Sequence, residues 1–211
     1  MTCRMLKNVV FDFGQVLCRF DPPYMTAPYV ENDEDRDLVA SVVFDRLYWD
    51  ALDAGTITDS EVVEASKKRL PARLHDAAEH AYYGWIDNLP PVDGMWELVE
   101  KLHCEKDVRI FILSNISRYF AANASRFRVF RYAEDCIFSA ECGHVKPHAD
   151  MFEYLCNRCH ISPEETLFID DSPKNIEGAT AFGIHGYLFD GDAGRLWETL
   201  STLPSKGDAN V

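Results

Sequence analysis

The sequence predicts an α/β fold in which helices cover both faces of one parallel sheet. Short apolar runs rich in β-branched residues alternate with longer amphipathic segments along most of the chain, as in strand–helix units that build parallel sheets. Three of these runs end abruptly in polar side chains, and open sheets of this kind bind ligands at that edge. With 211 residues, 47% of them hydrophobic, the chain is long enough for one sizeable core and a small second domain.

The first strand is predicted over residues 7–13, where an apolar run ends in a single carboxylate, Asp12, and Gly14 follows. A buried carboxylate is costly unless a cation or hydrogen-bond donors receive it. The sequence therefore predicts that Asp12 faces such a group at the carboxyl edge of the sheet.

Residues 18–88, called the insert below, are predicted to form a small helical domain after the first strand. Proline pairs at 22–23 and 90–91 mark its two ends, and its apolar residues recur at spacings of three and four. Residues 1–17 and 89–211 then form the core domain. Three helices are predicted in the insert, over residues 34–47, from a capping sequence at 58–61, and over about 75–86.

The strand–helix alternation resumes at Pro91 and continues to residue 200. The polar segment 204–211 is expected to be a loose tail. Strands are predicted over residues 108–113, 136–139, 166–169 and 185–189, and helices over 93–103, 117–127, 148–159, 175–182 and 193–200.

The charge of the chain excludes several classes of partner. The formal net charge is -14, which argues against binding to nucleic acid or to anionic membranes. No run of about 18 apolar residues predicts a membrane span. The N-terminal residues lead directly into the first strand without room for a signal peptide, so we expect a cytoplasmic protein whose seven cysteines are reduced thiols.

One cysteine pattern, Cys156-Asn157-Arg158-Cys159-His160, matches the attachment site of c-type haem. It lies at the end of an amphipathic segment in which both cysteines fall on the apolar face. Haem attachment also requires export, which the N-terminus does not support. We therefore predict packed helix cysteines and no haem.

Carboxylates from two predicted strand ends are candidates for a metal site. Asp12 ends the first strand, and Asp170 and Asp171 end a later one. Three carboxylates at one sheet edge repel each other strongly unless a hard cation lies among them, and Mg²⁺ takes such oxygen ligands. Taken singly, Asp12 also fits a turn or cap, and Asp170-Asp171 also fits the start of a helix.

Three further residues are candidates for binding an anion. Ser114 and Asn115 end the second core strand at the start of a helix, where a hydroxyl and free N–H groups can hold a phosphoryl oxygen. Lys146, just before Pro147, offers a fixed positive charge to a nucleophilic carboxylate and a phosphate. Alternatively, Ser114-Asn115 is an ordinary helix cap and Lys146-Pro147 a solvated turn.

The order of these motifs resembles the haloacid dehalogenase superfamily of hydrolases, over nearly the whole chain. The insert lies where this family carries a helical cap, and the resemblance implies a Rossmann-like core. The matching stretches are residues 11–17 (FDFGQVL), 113–115 (LSN), 145–147 (VKP) and 168–179 (FIDDSPKNIEGA).

The resemblance implies a phosphatase for a small phosphorylated metabolite, in which Asp12 attacks phosphorus to form an aspartyl-phosphate that water hydrolyses. It implies Mg²⁺ bound by Asp12, by the backbone carbonyl of Gly14 and by Asp171, with Asp170 binding directly or through water. The roles implied for the others are phosphate binding by Ser114 and the Asn115 N–H, bridging of nucleophile and phosphate by Lys146, and support of the ligands by Asn175.

The sequence departs from the family at Gly14. Most family phosphatases carry a second Asp there, which acts as general acid and base, a role typically worth about 10²- to 10⁴-fold. A glycine also resembles the branch that includes glucose-1-phosphate phosphatases, and an anomeric oxygen leaves readily, so an aldose-1-phosphate is one hypothesis. Asp21 is a candidate substitute acid, although a hinge or cap role suits it better.

Other activities of the family fit less well. The dehalogenases need no metal, so the pair Asp170-Asp171 favours phosphate chemistry, and a phosphomutase depends on the missing Asp. A member with weak or no catalysis that binds a phosphorylated ligand or a protein is the alternative, supported only by Gly14. Candidate substrate contacts in or beside the insert, each of which also fits packing or surface, are Arg19, Tyr24, Arg46, Trp49 and Trp85.

Overall fold

Five parallel strands form the centre of the protein in a computed structural model that describes residues 5–207. The order across the sheet is β3-β2-β1-β4-β5, so the chain moves outward in one direction from β1 and then returns to the other side of it. The predicted α/β class is confirmed. The strands are β1 (Asn8–Phe11), β2 (Arg109–Ser114), β3 (Asp135–Phe138), β4 (Thr166–Asp170) and β5 (His185–Leu188).

The strand register brings the predicted site residues to one level. Phe11 pairs with Ile112 of β2 and with Ile169 of β4. The next residue, Asp12, donates its backbone N–H to the carbonyl of Ile169 at 2.9 Å, so it lies beside Asp170. This edge is also where the strand order reverses, the usual position of a ligand site in open α/β sheets.

Within the described chain, every regular element of the insert is a helix, as predicted. These helices are shorter and more numerous than we expected. Five α-helices replace the three that we expected, because single-turn helices carry too few residues to produce a periodic pattern. The division of the chain into an inserted domain and a core domain stays a prediction. The helices are α1 (Pro22–Thr26), α2 (Asp33–Val43), α3 (Trp49–Asp53), α4 (Asp59–Lys67) and α5 (His75–Gly84).

Local capping explains where the longer helices of the insert begin. The Asn32 side chain accepts a hydrogen bond from the N–H of Asp35 and starts α2. Thr58 and Glu61 form the predicted capping box at the start of α4, each side chain accepting from the other residue's backbone.

Helices on both faces of the sheet complete the core, as the alternation predicts. Val9 and Phe11 point into one hydrophobic cluster and Val10 into a second on the opposite face, and all three are fully buried. Both faces are therefore covered. The remaining helices are α6 (Met95–Glu105), α7 (Arg118–Asn123), α8 (Ser139–Cys142), α9 (Ala149–Cys159), α10 (Pro173–Phe182) and α11 (Ala193–Leu200).

One core helix ends earlier than predicted. A helix was expected over residues 117–127, but α7 ends at Asn123 and shorter 3-10 turns follow. The Asn123 side chain donates to the carbonyl of Tyr119, which competes with continued helix formation, and Phe127 has extended backbone angles.

The cysteines of the CxxCH sequence pack in the core. Cys156 and Cys159 are buried on α9 in the second hydrophobic cluster, and burial raises the pKa of each thiol to about 11. His160 follows with left-handed backbone angles and ends the helix. The packed-cysteine interpretation accounts for these positions, and the expected absence of haem stays a prediction.

The start of the expected loose tail is attached to the core. Pro204 accepts a hydrogen bond from the backbone of Asp107, and the backbone N–H of Lys206 donates to Glu105. Residues 204–206 thus contact the core through backbone hydrogen bonds, whereas the looseness of the tail stays a prediction. Residues 208–211 lie outside the described chain. No helix within residues 5–207 is long and apolar enough to cross a bilayer.

Candidate active site

Asp12 lies immediately beyond β1, with only 8% of its surface exposed. Its Oδ1 accepts a hydrogen bond of 2.7 Å from the N–H of Phe13. The Phe13 ring packs against three other phenylalanines, with centroids 4.8–5.2 Å away. This aromatic cluster fixes the backbone that follows Asp12 and so orients its carboxylate.

Lys146 joins the two acidic strand ends. Its Nζ lies 2.8 Å from Oδ1 of Asp12 and 2.7 Å from Oδ2 of Asp170, and the lysine is only 4% exposed. Burial lowers the pKa of Lys146, but the attraction of the two carboxylates and their hydrogen bonds outweigh it, so the pKa is raised overall. The ammonium therefore stays charged between them.

Asn115 positions Lys146 through the backbone. Its Nδ2 donates to the carbonyl of Lys146 at 3.0 Å, and its Oδ1 accepts from the N–H of Lys146 at 2.9 Å. The end of β2 is thereby tied to the loop that carries the lysine. The sequence predicted phosphate binding by the Asn115 N–H and missed this side-chain role, because it joins residues 31 positions apart.

Asp170 has both carboxylate oxygens occupied by protein groups. Oδ1 accepts from the N–H of Ser172 at 2.8 Å, and Asn175 Nδ2 lies 3.0 Å from each oxygen. With Lys146 on Oδ2, this fully buried carboxylate is fixed from several sides. Asn175 therefore contacts Asp170, and its role in supporting the metal ligands stays a prediction.

Asp171 completes a cluster of three carboxylates. One oxygen from each of Asp12, Asp170 and Asp171 lies within 4.8 Å of the others, and the Asp171 side chain is exposed. Three carboxylates against the single ammonium of Lys146 leave an excess of negative charge. Hard oxygen donors with excess negative charge fit Mg²⁺.

The pKa values of Asp12 and Asp171 reflect burial and the excess of negative charge in the cluster. Burial raises the pKa of Asp12 to about 6, with Lys146 opposing the rise and Asp170 adding to it. Burial and the charge of Asp170 also raise the pKa of Asp171. The site therefore favours either protonation or an added cation.

Ser114 is the last residue of β2 and is 2% exposed. Within residues 5–207 its hydroxyl makes no hydrogen bond to another side chain or to the backbone. The hydroxyl is therefore available for an oxygen-rich ligand, and its role in phosphate binding stays a prediction.

Several other predicted positions are explained by local packing. Asp21 caps α1 by accepting from the N–H of Tyr24, so it fits the cap role rather than that of a substitute acid. Arg19 pairs with Asp93 at 2.5 Å. Trp85 stacks on the core ring Phe120, with centroids 5.6 Å apart.

Gly178 on α10 fixes the loop that contains Lys146. A Cβ at Gly178 would lie 2.4 Å from the carbonyl oxygen of Pro147 and 2.9 Å from its Cβ. The sequence motif contains this glycine, but only the structure shows that it makes room for the residue following the lysine.

We expect Gly178→Ala to displace the Lys146-Pro147 backbone, because a backbone oxygen cannot rotate away from the new methyl group. A displacement of this size at a positioned charged group costs about 10²-fold in kcat/KM. Steady-state kinetics against Glu177→Ala, an exposed neighbour on α10, provide the comparison. Full activity in Gly178→Ala would contradict the close packing.

The fold and site together define a class of protein: a parallel α/β protein with a cluster of three carboxylates and a buried lysine at the carboxyl edge of its sheet. A family model described as haloacid dehalogenase-like hydrolase matches residues 6–183. The chain belongs to this family. Its fold is the Rossmann-like fold that the resemblance implied.

Curated relatives include two phosphatases. D-ribitol-5-phosphate phosphatase of Bacteroides thetaiotaomicron is 23% identical over 207 residues, which cover 94% of this chain and 98% of that protein. Sesquiterpene phosphatase astK of Aspergillus oryzae is 26% identical over 190 residues, which cover 87% of this chain and 90% of that protein.

Solved structures share the fold. A haloacid dehalogenase family enzyme from Bacteroides thetaiotaomicron, in complex with magnesium and inorganic phosphate, superposes with a TM-score of 0.68 at 21% identity, covering 91% of this chain and 99% of that one. L-2-haloacid dehalogenase from Xanthobacter autotrophicus gives 0.62 at 21% identity, covering 86% and 76%.

Proposed function

We propose that the protein is a Mg²⁺-dependent phosphatase that hydrolyses a small phosphate monoester. One observation carries this proposal: a buried lysine bridges the carboxylate after β1 to the carboxylate that ends β4, within 4.8 Å of a further acid. Such a cluster combines a nucleophile, a fixed positive charge and metal ligands. The names of the two phosphatase relatives support the same reaction class.

The metal would be held by Asp12, Asp171 and the backbone carbonyl of Gly14. Asp171 is assigned as the direct ligand because it is exposed and no other residue of the described chain hydrogen-bonds to its side chain. Asp170 accepts bonds from protein on both oxygens, which leaves it to support the site directly or through water. When bound, Mg²⁺ supplies positive charge that offsets the developing charge on the phosphoryl oxygens.

The residues of the chain then perform two displacements. Asp12 attacks phosphorus and forms an aspartyl-phosphate while the ester oxygen leaves, and water later releases inorganic phosphate. Lys146 holds the Asp12 carboxylate ionised and offers its charge to the phosphoryl group. Ser114 and the Asn115 N–H, at the end of β2, bind the phosphoryl oxygens.

The substrate class follows from what the relatives share. One relative is named for the phosphate of a sugar alcohol and the other as a sesquiterpene phosphatase, so the two names share only the phosphate ester. We therefore assign phosphate recognition to the core and selection of the organic group to the insert. An aldose-1-phosphate is the finer hypothesis, because Gly14 resembles the branch of the family that includes glucose-1-phosphate phosphatases.

A screen of phosphate esters tests this function, with an alkyl phosphate, an aldose-1-phosphate and flavin mononucleotide compared with and without Mg²⁺. We expect turnover that EDTA abolishes. Faster hydrolysis of ordinary alkyl phosphates than of aldose-1-phosphates would refute the finer hypothesis. A single burst of phosphoenzyme without turnover would favour the alternative, a member that binds a phosphorylated ligand.

We expect Asp171→Asn to raise the Mg²⁺ concentration at half-maximal rate by about 10- to 100-fold, because one anionic ligand is lost. Glu177→Gln removes an equal charge from an exposed position nearby and serves as the matched control. Titration of Mg²⁺ against rate measures both variants. Equal Mg²⁺ requirements in the two variants would contradict the assignment of Asp171.

A further inference from the structure

A phosphatase of the proposed kind needs a group that exchanges protons with the ester oxygen and with the attacking water. Gly14 cannot do this, and Asp21 is engaged as a helix cap. We propose that Asp53, the last residue of α3 in the insert, carries these protons in place of the acid missing at Gly14. This inference rests on the proposed function and supplies its missing catalytic group.

The placement of α3 supports this role. Two residues beyond Asp53, a Cβ on Gly55 would lie 2.6 Å from the carbonyl oxygen of Ala140 in α8, so the backbones are in close contact. Ser139, at the start of α8, accepts a hydrogen bond of 2.9 Å from the N–H of Ile116. The end of α3 thus packs on α8, and α8 is hydrogen-bonded to Ile116, the residue that follows Ser114 and Asn115.

The charges that act on Asp53 come from the site as well as from the insert. Lys146 and Asp12, both in the core, act electrostatically on this carboxyl, together with Arg46 and Asp50 from the insert. On α5, burial raises the pKa of Tyr82, and the charge of Asp53 adds to this rise. The Asp53 carboxyl is therefore close enough to Lys146 and Asp12 to be affected by the charges of both.

Asp53 is chemically available, unlike the buried Asp170. Its side chain has no hydrogen bond or ion pair within residues 5–207, whereas Asp170 is bonded on both oxygens. Burial raises the pKa of Asp53 to about 7; Lys146 and Arg46 oppose the rise, and Asp50 and Asp12 add to it. A carboxyl that is partly protonated near neutral pH can donate a proton and then accept one.

The proton balance closes over the two steps. Asp12 forms the bond to phosphorus, the phosphorus–ester oxygen bond breaks, and protonated Asp53 gives its proton to the leaving oxygen, which departs as the alcohol. Water then attacks the aspartyl-phosphate while the Asp53 carboxylate takes one of its protons. This step releases inorganic phosphate, restores the Asp12 carboxylate and leaves Asp53 protonated again.

Asp53→Asn tests the proposal, with Asp50→Asn as matched control on the same helix. Asp50 is exposed and acts on Asp53 only through its charge, so its loss removes a carboxylate from the same helix without removing the proposed proton carrier. Against an alkyl phosphate, whose leaving group needs a proton, we expect Asp53→Asn to lose about 10²- to 10⁴-fold in kcat/KM. Asp50→Asn should stay within about twofold of the unmodified protein.

A good leaving group separates the two steps. With p-nitrophenyl phosphate the departing phenolate needs no proton, so Asp53→Asn should release a burst of nitrophenolate, one equivalent per site. A slow steady state should follow, because water attack has lost its base. The burst also shows that the variant is folded and that Asp12 still reacts, which a merely structural defect would not produce.

A second variant provides a rescue. Apart from its two chain neighbours, no atom of residues 5–207 lies within 4 Å of a Cβ built on Gly14, so the first carbon of an aspartate side chain has room there. Adding Gly14→Asp to Asp53→Asn should raise the rate on the alkyl phosphate at least about tenfold above that of Asp53→Asn alone.

Equal losses on both esters with no burst, or activity equal to that of Asp50→Asn, would overturn the role of Asp53. Absence of turnover in the unmodified protein would instead overturn the proposed phosphatase function.

Discussion

Asp12→Asn is expected to abolish turnover of every phosphate ester, by at least about 10⁴-fold in kcat. The amide has no anionic oxygen to attack phosphorus, and it also removes a metal ligand. Steady-state rates at saturating Mg²⁺ measure the loss. A residual rate within tenfold of the unmodified protein would show that Asp12 is not the nucleophile.

The same substitution should stabilise the metal-free protein at neutral pH. Burial raises the pKa of Asp12 to about 6 in the folded state, above about 4 in the unfolded chain. Between these values the folded state binds more protons, so its stability falls as pH rises. The stabilising contribution of protonated Asp12 is fully present below pH 4 and is lost as the pH rises through 6.

Thermal unfolding in EDTA measures this effect. Asp12→Asn should unfold at a higher temperature than the unmodified protein at pH 8, and the difference should shrink toward pH 4. Added Mg²⁺ should reverse the order at pH 8, because binding to the folded state stabilises the unmodified protein. If the difference in unfolding temperature did not change with pH, the burial of the Asp12 charge would not be what destabilises the unmodified protein.

Lys146→Met should have the largest effect on stability. It leaves Asp12 and Asp170 buried without the ammonium that lies 2.8 and 2.7 Å from them. Removal of one partner from a buried ion pair costs about 3–5 kcal/mol in free energy of unfolding. Loss of the fixed positive charge should also lower kcat by about 10²- to 10³-fold.

Urea unfolding measures the stability of Lys146→Met, with the exposed Lys174→Met as control. Adding Asp12→Asn to Lys146→Met should recover part of the stability, since only one carboxylate then remains buried near the missing lysine. This recovery should exceed the stabilisation that Asp12→Asn produces alone, and a simple sum of the two single changes would contradict a direct interaction between Asp12 and Lys146.

The sequence predicted the sheet and its acidic edge because both depend on local pattern. Strands of a parallel sheet are apolar along their length, so an abrupt carboxylate such as Asp12 or Asp170 marks a strand end, and parallel strands bring those ends together. The positions of α9 and α11 agreed for a similar reason, since helices of two or more turns carry a clear apolar period.

The remaining features depend on tertiary packing, which no local pattern records. The side chain of Asn115 holds the backbone of Lys146 across 31 positions, and Gly178 makes room for Pro147. α3 is five residues long, so neither its existence nor the direction of Asp53 could be inferred from periodicity. What that carboxyl can do is decided by where the helix packs.

The most direct test of the account is identification of the phosphorylated residue. The protein would be mixed with substrate and Mg²⁺, quenched in acid within milliseconds, treated with borohydride, which reduces an acyl phosphate to an alcohol, and mapped by mass spectrometry. We predict conversion of Asp12 to homoserine, and no conversion in Asp12→Asn. Reduction at another carboxylate, or turnover with no reducible residue, would contradict a covalent phosphoryl transfer to Asp12.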